Sequence, residues 1–312
     1  MSSASASAKI ILFGEHAVVY GRPAIAVPLP QLRATAEIQP LPDEPDGHIR
    51  IFAPDIGLQE WLHRMDREQP LALIVHLALE ALQQQDFPAF QITAHSHIPI
   101  AAGLGSGAAI SVAIVRALAA HFGESLPRKT QSALAFQVEV LHHGTPSGID
   151  NTVVAFEQPI YFVQGAPPEP LNLARPVHLV VGDTGIRSPT ATAVRQVRQG
   201  WQKDIASYES LFDRIAEISK RARRAIERGE LARLGELMNE NQSCLAHMGV
   251  STEQLEKLIA AAHSAGALGA KVCGAGLGGS MIALVGEEAS TPVDEALKKA
   301  GAAHTFAIEV GA

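Results

Sequence analysis

The chain has 312 residues, 47% of them hydrophobic, with 25 Lys and Arg against 32 Asp and Glu and a formal net charge of −7. That length buries a large core and points to two lobes, and the acidic balance argues against non-specific nucleic-acid binding, so any phosphate ligand must be held by local groups. No apolar run of about 20 residues marks a membrane span. The start M-S-S-A-S-A-S-A-K lacks the features of a secretory leader, and two cysteines, Cys244 and Cys273, make no disulfide framework, so a cytoplasmic protein is expected.

In chain order, Lys9 to Phe13 reads as a strand, followed by a turn at Gly14–Glu15–His16. Ala24 to Pro28 and Leu32 to Ile38 read as two further strands, the second alternating apolar and polar as a half-exposed strand does. Pro40 to Gly47 is a polar loop, Leu71 to Gln85 an amphipathic helix, and Ala89 to Ile98 a half-solvated antiparallel strand. A glycine-rich loop then runs into a helix over Ala108 to Phe122, and a second helix spans Arg128 to His142. Ile160 to Val163 and His178 to Val181 read as strands on either side of a Pro-rich link, Gly165 to Pro170, where the lobe boundary is placed. Thr190 to Arg228, Leu231 to His247 and Thr252 to Ala265 are mostly helical. Strands over Ala270 to Cys273 and Ser280 to Val285, a helix over Pro292 to Ala300 and a strand over His304 to Val310 close the chain. Strands and helices mix without regular βαβ alternation, which predicts an α+β fold with lobes 1–170 and 171–312.

The loop P-I-A-A-G-L-G-S-G-A-A, Pro99 to Ala109, is the most informative stretch. Glycine permits positive φ and close approach of a ligand to the main chain. A helix start presents unpaired N–H groups and a partial positive charge. The two together make an anion pocket, and the expected anion is a phosphate. No Lys follows Gly107, which excludes the P-loop of common NTPases. Gly103 to Ala108 fits a dinucleotide fingerprint, but the preceding strand alternates and no acidic strand end follows at the required distance, so that context fails. A second cluster, G-A-G-L-G-G at Gly274 to Gly279, lies between two strands and reads as a hairpin, with or without a ligand. The basic run Lys220 to Arg224 lies on a helix with Glu217 and Glu227 close by and reads as a solvated face. His95 and His97 are too few for a metal site.

Lys9, Glu139 and Asp150 each have an ordinary reading taken singly: a surface lysine before a strand, an exposed helix carboxylate, an N-cap or turn residue. Their order and spacing change that. The whole chain resembles the GHMP kinase superfamily, named for galactokinase, homoserine kinase, mevalonate kinase and phosphomevalonate kinase. Its three motifs match Lys9 to Gly21, Pro99 to Ala109 and Lys271 to Ser280, in order. Within the superfamily, G-E-H-A-V-V-Y-G at Gly14 to Gly21 and H-G-T-P-S-G-I-D-N at His143 to Asn151 are similar to the mevalonate kinase family.

The resemblance implies a two-lobed fold, with a mixed α/β N-terminal lobe carrying the phosphate loop and a ferredoxin-like C-terminal lobe. It implies ATP-dependent phosphorylation of the C5 hydroxyl of (R)-mevalonate, with Mg²⁺. By position, Pro99, Ala102, Gly103, Leu104, Gly105, Ser106, Gly107 and Ala108 would wrap the ATP phosphates. Glu139 and Ser106 would hold Mg²⁺, Asp150 would be the catalytic base and Lys9 the catalytic lysine. Glu15, His16, Asp150, Thr184, Arg187, Thr190, Gly274, Ala275 and Gly276 would face the substrate. An ordinary aspartate, with a pKa of about 3.9, is a weak base for an alcohol, so its proton would move late, as the new P–O bond forms.

Two positions depart from the family pattern. Gly107 stands where a metal-binding Ser is usual, and Leu277 where a Gly is. The partners implied are mevalonate, with no nucleic acid and no membrane, and the resemblance allows a homodimer. The alternatives on the same fold are another small-molecule kinase such as phosphomevalonate kinase, diphosphomevalonate decarboxylase, and a non-catalytic ligand sensor.

Overall fold

In the computed structural model, which describes residues 1–99, 103–143, 146–187 and 189–311, the elements follow in the order β1 (Ser2–Phe13), β2 (Ala24–Pro40), β3 (Ile49–Ala53), β4 (Leu58–Trp61), α1 (Pro70–Ala81), β5 (Phe90–Ser96), α2 (Ser106–His121), α3 (Arg128–His143), α4 (Ile149–Phe156), β6 (Ile160–Phe162), β7 (Glu169–Pro170), β8 (Val177–Asp183), α5 (Thr190–Lys203), α6 (Ile205–Arg228), α7 (Leu231–His247), α8 (Glu253–Ser264), β9 (Gly269–Cys273), β10 (Ser280–Val285), α9 (Ser290–Lys299) and β11 (His304–Val310). They belong to two compact units. One is built from Met1–Ala8, Pro30–Pro99 and Gly105–Glu157, the other from Lys9–Leu29, the described residues of Ile100–Leu104, and Gln158–Ala312.

In the first unit the strands lie in the order β4–β3–β5–β2. β5 is antiparallel to β2, Ile92 facing Ile38, and parallel to β3, Ile92 facing Ile51. The wholly antiparallel setting expected for β5 is therefore corrected. β3 and β4 are additions to the expected elements, because segments of five and four residues are too short for a period of two to stand out. β2 is one strand where two were expected. Pro28 and Pro30, which cannot donate to a ladder, fall between its pairing with β6 (Ala24–Ala26) and its pairing with β5 (Ala34–Pro40). α2 is buried along most of its length, from Ala108 and Ala109 to Ala117 and Leu118. Its alanines let α1, α3 and α4 pack close against it, and each fully buried Val, Leu or Ile contributes roughly 1.5–3 kcal/mol.

In the second unit β11–β8–β10–β9 form an antiparallel sheet, with Ala283 facing Val180 and Ala270. In chain order β8 is first, β9 and β10 follow as a hairpin after the helices, and β11 comes after α9. The spatial order 4-1-3-2 is that of a ferredoxin-like lobe. α7, α8 and α9 pack on this sheet. Gly235 of α7 and Gly269 of β9 let the two backbones meet, since a Cβ on Gly235 would lie 2.6 Å from the Leu268 carbonyl carbon. Three cations of the basic run on α6 are paired: Lys220 with Glu217, Arg221 with Glu240, and Arg223 with Glu227 and Glu169. Among the described residues, no helix is long and apolar enough to cross a membrane.

Candidate active site

The candidate residues of each unit are set by that unit's own local structure. In the first unit, Gly105 is the N-cap of α2 at φ 75, a left-handed conformation that glycine adopts without strain. Ser106, Gly107 and Ala108 form the first turn, and no side chain caps it. The amides of that turn are a ready anion site. Glu139 of α3 is buried, and its Oε1 would lie 3.4 Å from a Cβ placed on Gly107, so a carboxylate sits beside the start of α2. Pro99 is half-buried outside any element, and Ala102 lies outside the described residues.

Asp150, an N-cap or turn residue on its ordinary reading, lies instead in the first turn of α4, behind Gly148 as N-cap at φ 84. The glycine-rich approach hides the start of this eight-residue helix. The next two residues anchor it. Asn151 is buried, and its Nδ2 donates to the Ser132 carbonyl at 3.1 Å and to Ser132 Oγ at 2.9 Å. Thr152 Oγ1 donates back to the Gly148 carbonyl at 2.6 Å. Ser132 is on α3, the helix that carries Glu139, so Asp150 and Glu139 ride on two helices pinned to each other. Asn151 was visible only as part of a motif, and nothing in a lone sequence marks Ser132.

In the second unit, Lys9 is 2% exposed, and both ends of it fasten the start of the glycine loop. Its backbone N–H donates to the Leu104 carbonyl at 3.0 Å and its Nζ to the Gly103 carbonyl at 3.1 Å. The two glycine clusters meet there: Gly103 and Gly274, at φ 77 and 75, approach so closely that a Cβ on Gly274 would lie 3.2 Å from the Gly103 Cα. The second cluster is the β9–β10 hairpin, as expected. Its Leu277 has φ 60, which explains why glycine is usual at that position.

Around this hairpin lies a buried polar group. His16 Nε2 is 2.9 Å from the Ala275 carbonyl oxygen. That oxygen only accepts, so Nε2 carries the proton and Nδ1 is the acceptor. Burial lowers the His16 pKa to about 4, against the pull of this hydrogen bond, and the ring is neutral near pH 7. Glu15 is fully enclosed, and burial raises its pKa, opposed chiefly by Lys271. Lys271 of β9 donates to Glu15 Oε1 and, at 2.7 Å, to the Val272 carbonyl. Glu15 Oε2 is buried and accepts no hydrogen bond among the described residues. Burial pushes the neighbouring Cys273 thiol up to about 11.

Thr184 is buried with its hydroxyl donating to the Gly279 carbonyl at 2.8 Å and accepting from the Ile186 amide at 3.2 Å, which braces the hairpin base. Arg187 is exposed, and Thr190 is the half-buried first residue of α5.

A phosphate-suited helix start and a buried lysine on a glycine loop suit a small-molecule kinase, and the class is that of the GHMP kinases. Residues 72–158 match the model of the GHMP kinases N terminal domain, and residues 222–303 that of the GHMP kinases C terminal. The mevalonate kinase of Pyrococcus horikoshii is 37% identical over 299 residues, covering 90% of this chain and 88% of that one. That of Thermococcus sibiricus is 37% identical, covering 96% and 93%. The crystal structure of L. major mevalonate kinase in complex with R-mevalonate superposes with a TM-score of 0.84 at 28% identity, covering 99% and 96%. The chain belongs to the mevalonate kinase family.

Proposed function

We propose that the chain transfers the γ-phosphoryl group of ATP to the C5 hydroxyl of (R)-mevalonate, giving 5-phosphomevalonate and ADP. The observation that carries this reading is likeness to mevalonate kinases across nine-tenths of the chain at 37% identity, with a relative in complex with R-mevalonate sharing the fold end to end. The reading takes mevalonate as partner, a cytoplasmic setting without nucleic acid or membrane, and allows a homodimer.

Phosphoryl transfer asks the protein for positioning and charge neutralisation rather than covalent chemistry. In this reading the N–H groups of Gly103 to Ala108 cradle the phosphates. Lys9 keeps Gly103 and Leu104 in place and supplies positive charge to the transition state. Asp150, on its anchored helix, accepts the C5 hydroxyl proton as the new P–O bond forms. His16 and Glu15 orient the acceptor, with His16 neutral and its Nδ1 able to accept a hydroxyl proton in a hydrogen bond.

The residues beside the start of α2 fit Mg²⁺. One buried carboxylate, Glu139, and the hydroxyl-bearing Ser106 supply hard oxygen donors, and this ion takes one or two protein ligands while keeping several waters. When bound, it neutralises charge on the phosphate oxygens.

A coupled assay of ADP formation with mevalonate, phosphomevalonate, homoserine and galactose tests the reading. Mevalonate is expected to be the preferred acceptor. Preference for another alcohol, or nucleotide binding without turnover on any of them, overturns it. Asp150→Asn is expected to lower kcat by about 10²-fold or more, and near-normal turnover would remove Asp150 from the base role.

A further inference from the structure

The sequence reading gives Lys271 no role, yet it is the most deeply buried cation among the described residues: its side chain is 0% exposed and it stands in the middle of strand β9, between Ala270 and Val272. Its ammonium is bound to Glu15, itself 1% exposed, 256 residues away in the chain. A buried ion pair is rarely more stabilising than an apolar pair of the same volume, because desolvation of two charges offsets their attraction. The pair therefore needs another account, and the geometry around it gives one.

Two short segments are cross-linked twice. Glu15 is held by Lys271, and the next residue, His16, is held through its ring by Ala275, four residues further along the hairpin strand and loop. Gly14, at φ 98, is fixed against Ala24 and the Pro23 carbonyl, where a Cβ would not fit. His16 has φ 61, the left-handed region that a residue with a Cβ rarely enters. Such strain persists where the surrounding structure over-determines it, and it gathers at functional sites. Lys271 takes one Glu15 oxygen and leaves Oε2 unengaged among the described residues.

We propose that Lys271 is a positioning residue for the acceptor side of the site, holding the Glu15 carboxylate and, through the Glu15–His16 backbone, the ring of His16. This rests on the mevalonate reading above. Its role lies in geometry and in keeping a carboxylate charged inside the protein, and it touches no reacting atom. The charged and titratable groups that bear on Glu15 are Lys271 and Cys273 on β9, Lys9 on β1 and the adjacent His16. With Lys271 gone, only a backbone hydrogen bond and Lys9 oppose the burial of the carboxyl, which then takes up a proton more readily.

The test compares the wild type with Lys271→Met and with the double variant Lys271→Met/Glu15→Leu, which replaces the ion pair by apolar groups. Lys271→Met is expected to lower kcat/KM for mevalonate by about tenfold or more while KM for ATP moves by less than about threefold. Its kcat/KM for mevalonate should also rise with pH across a range where the wild type is flat, as Glu15 regains its charge. The double variant is expected to melt close to the wild type and still turn over slowly, which a merely structural pair would not do. A wild type inactive on mevalonate overturns the functional reading. An active wild type with Lys271→Met unchanged in its mevalonate KM, kcat and pH profile overturns the positioning role alone. So does a double variant that recovers both melting temperature and turnover, and this arm decides the matter if Lys271→Met does not fold.

Discussion

Gly276→Ala separates the conformational cost of the glycine hairpin from its packing cost. Gly276 has φ 77, and a Cβ there would overlap the Val250 carbonyl oxygen and lie 3.1 Å from the Val250 Cβ. The main chain on both sides is fixed, since the Leu277 amide donates to that same carbonyl at 2.8 Å. Entering the left-handed region costs an alanine about 1–2 kcal/mol, and forcing an extra carbon into a filled space costs about 1–3 kcal/mol more. Gly165 is the control. It lies in the same unit at φ 85 with nothing within 4 Å of its would-be Cβ, so Gly165→Ala meets the first cost alone. Thermal melts of both variants are expected to differ by several degrees, at about 2–4 °C per kcal/mol for chains approaching this size. Mevalonate-dependent ADP formation should fall in Gly276→Ala and hold in Gly165→Ala, because only the first displaces the hairpin that carries Ala275 to His16. Equal melting temperatures, or a Gly276→Ala enzyme with full turnover, would refute the reasoning.

Three more outcomes follow from the same geometry. Gly107 has an ordinary helical backbone and room for a Cβ 3.4 Å from Glu139 Oε1, so Gly107→Ser is expected to fold and to reach half-maximal activity at a lower Mg²⁺ concentration; an unchanged Mg²⁺ titration would count against a metal site there. His16 has a folded pKa of about 4 against an ordinary 6.5, so between those values the unfolded chain binds a proton that the folded chain refuses. The stability it contributes is present above pH 6.5 and lost as pH falls toward 4, by about 3 kcal/mol in all; denaturant titrations of the wild type and His16→Gln at the two ends should show this dependence only in the wild type. Asn151→Ala removes two buried hydrogen bonds to Ser132 and is expected to cost about 1–3 kcal/mol in unfolding free energy and to lower kcat with it, an effect absent if Asp150 owes its place to other contacts.

The long periodic elements were legible because one face of each carries the pattern by itself. α7 and β11 run over the residues that periodicity assigns, and α8 covers the expected span less its first and last residues, with Thr252 as its N-cap. What escaped was short or depended on a distant partner. β3 and β4 hold too few residues for a period, and β2 is continuous through Pro28 and Pro30, which lie between its ladder with β6 and its ladder with β5. α4 opens behind Gly148 with little polar signal, so Asp150 reads as a cap or turn residue rather than as part of a helix.

The site divides along the same line. The glycines before a helix are a local signal for a phosphate, whereas Lys9, Glu139 and Asp150 have ordinary readings taken singly and stand out only through the resemblance to a family. The supports are not local. Ser132 carries no signal until Asn151 reaches it, and Lys271 is only the first residue of a motif until Glu15 is seen to lie against it. A single sequence reports which atoms a site contains, because chemistry restricts residue type at each position. It is nearly silent on what holds those atoms in place, because any residue of suitable reach can do that from anywhere in the chain. Leu277 is the instructive exception. It stands out in the sequence only as a departure from a usual glycine, and the backbone there takes φ 60, the region that glycine enters most freely.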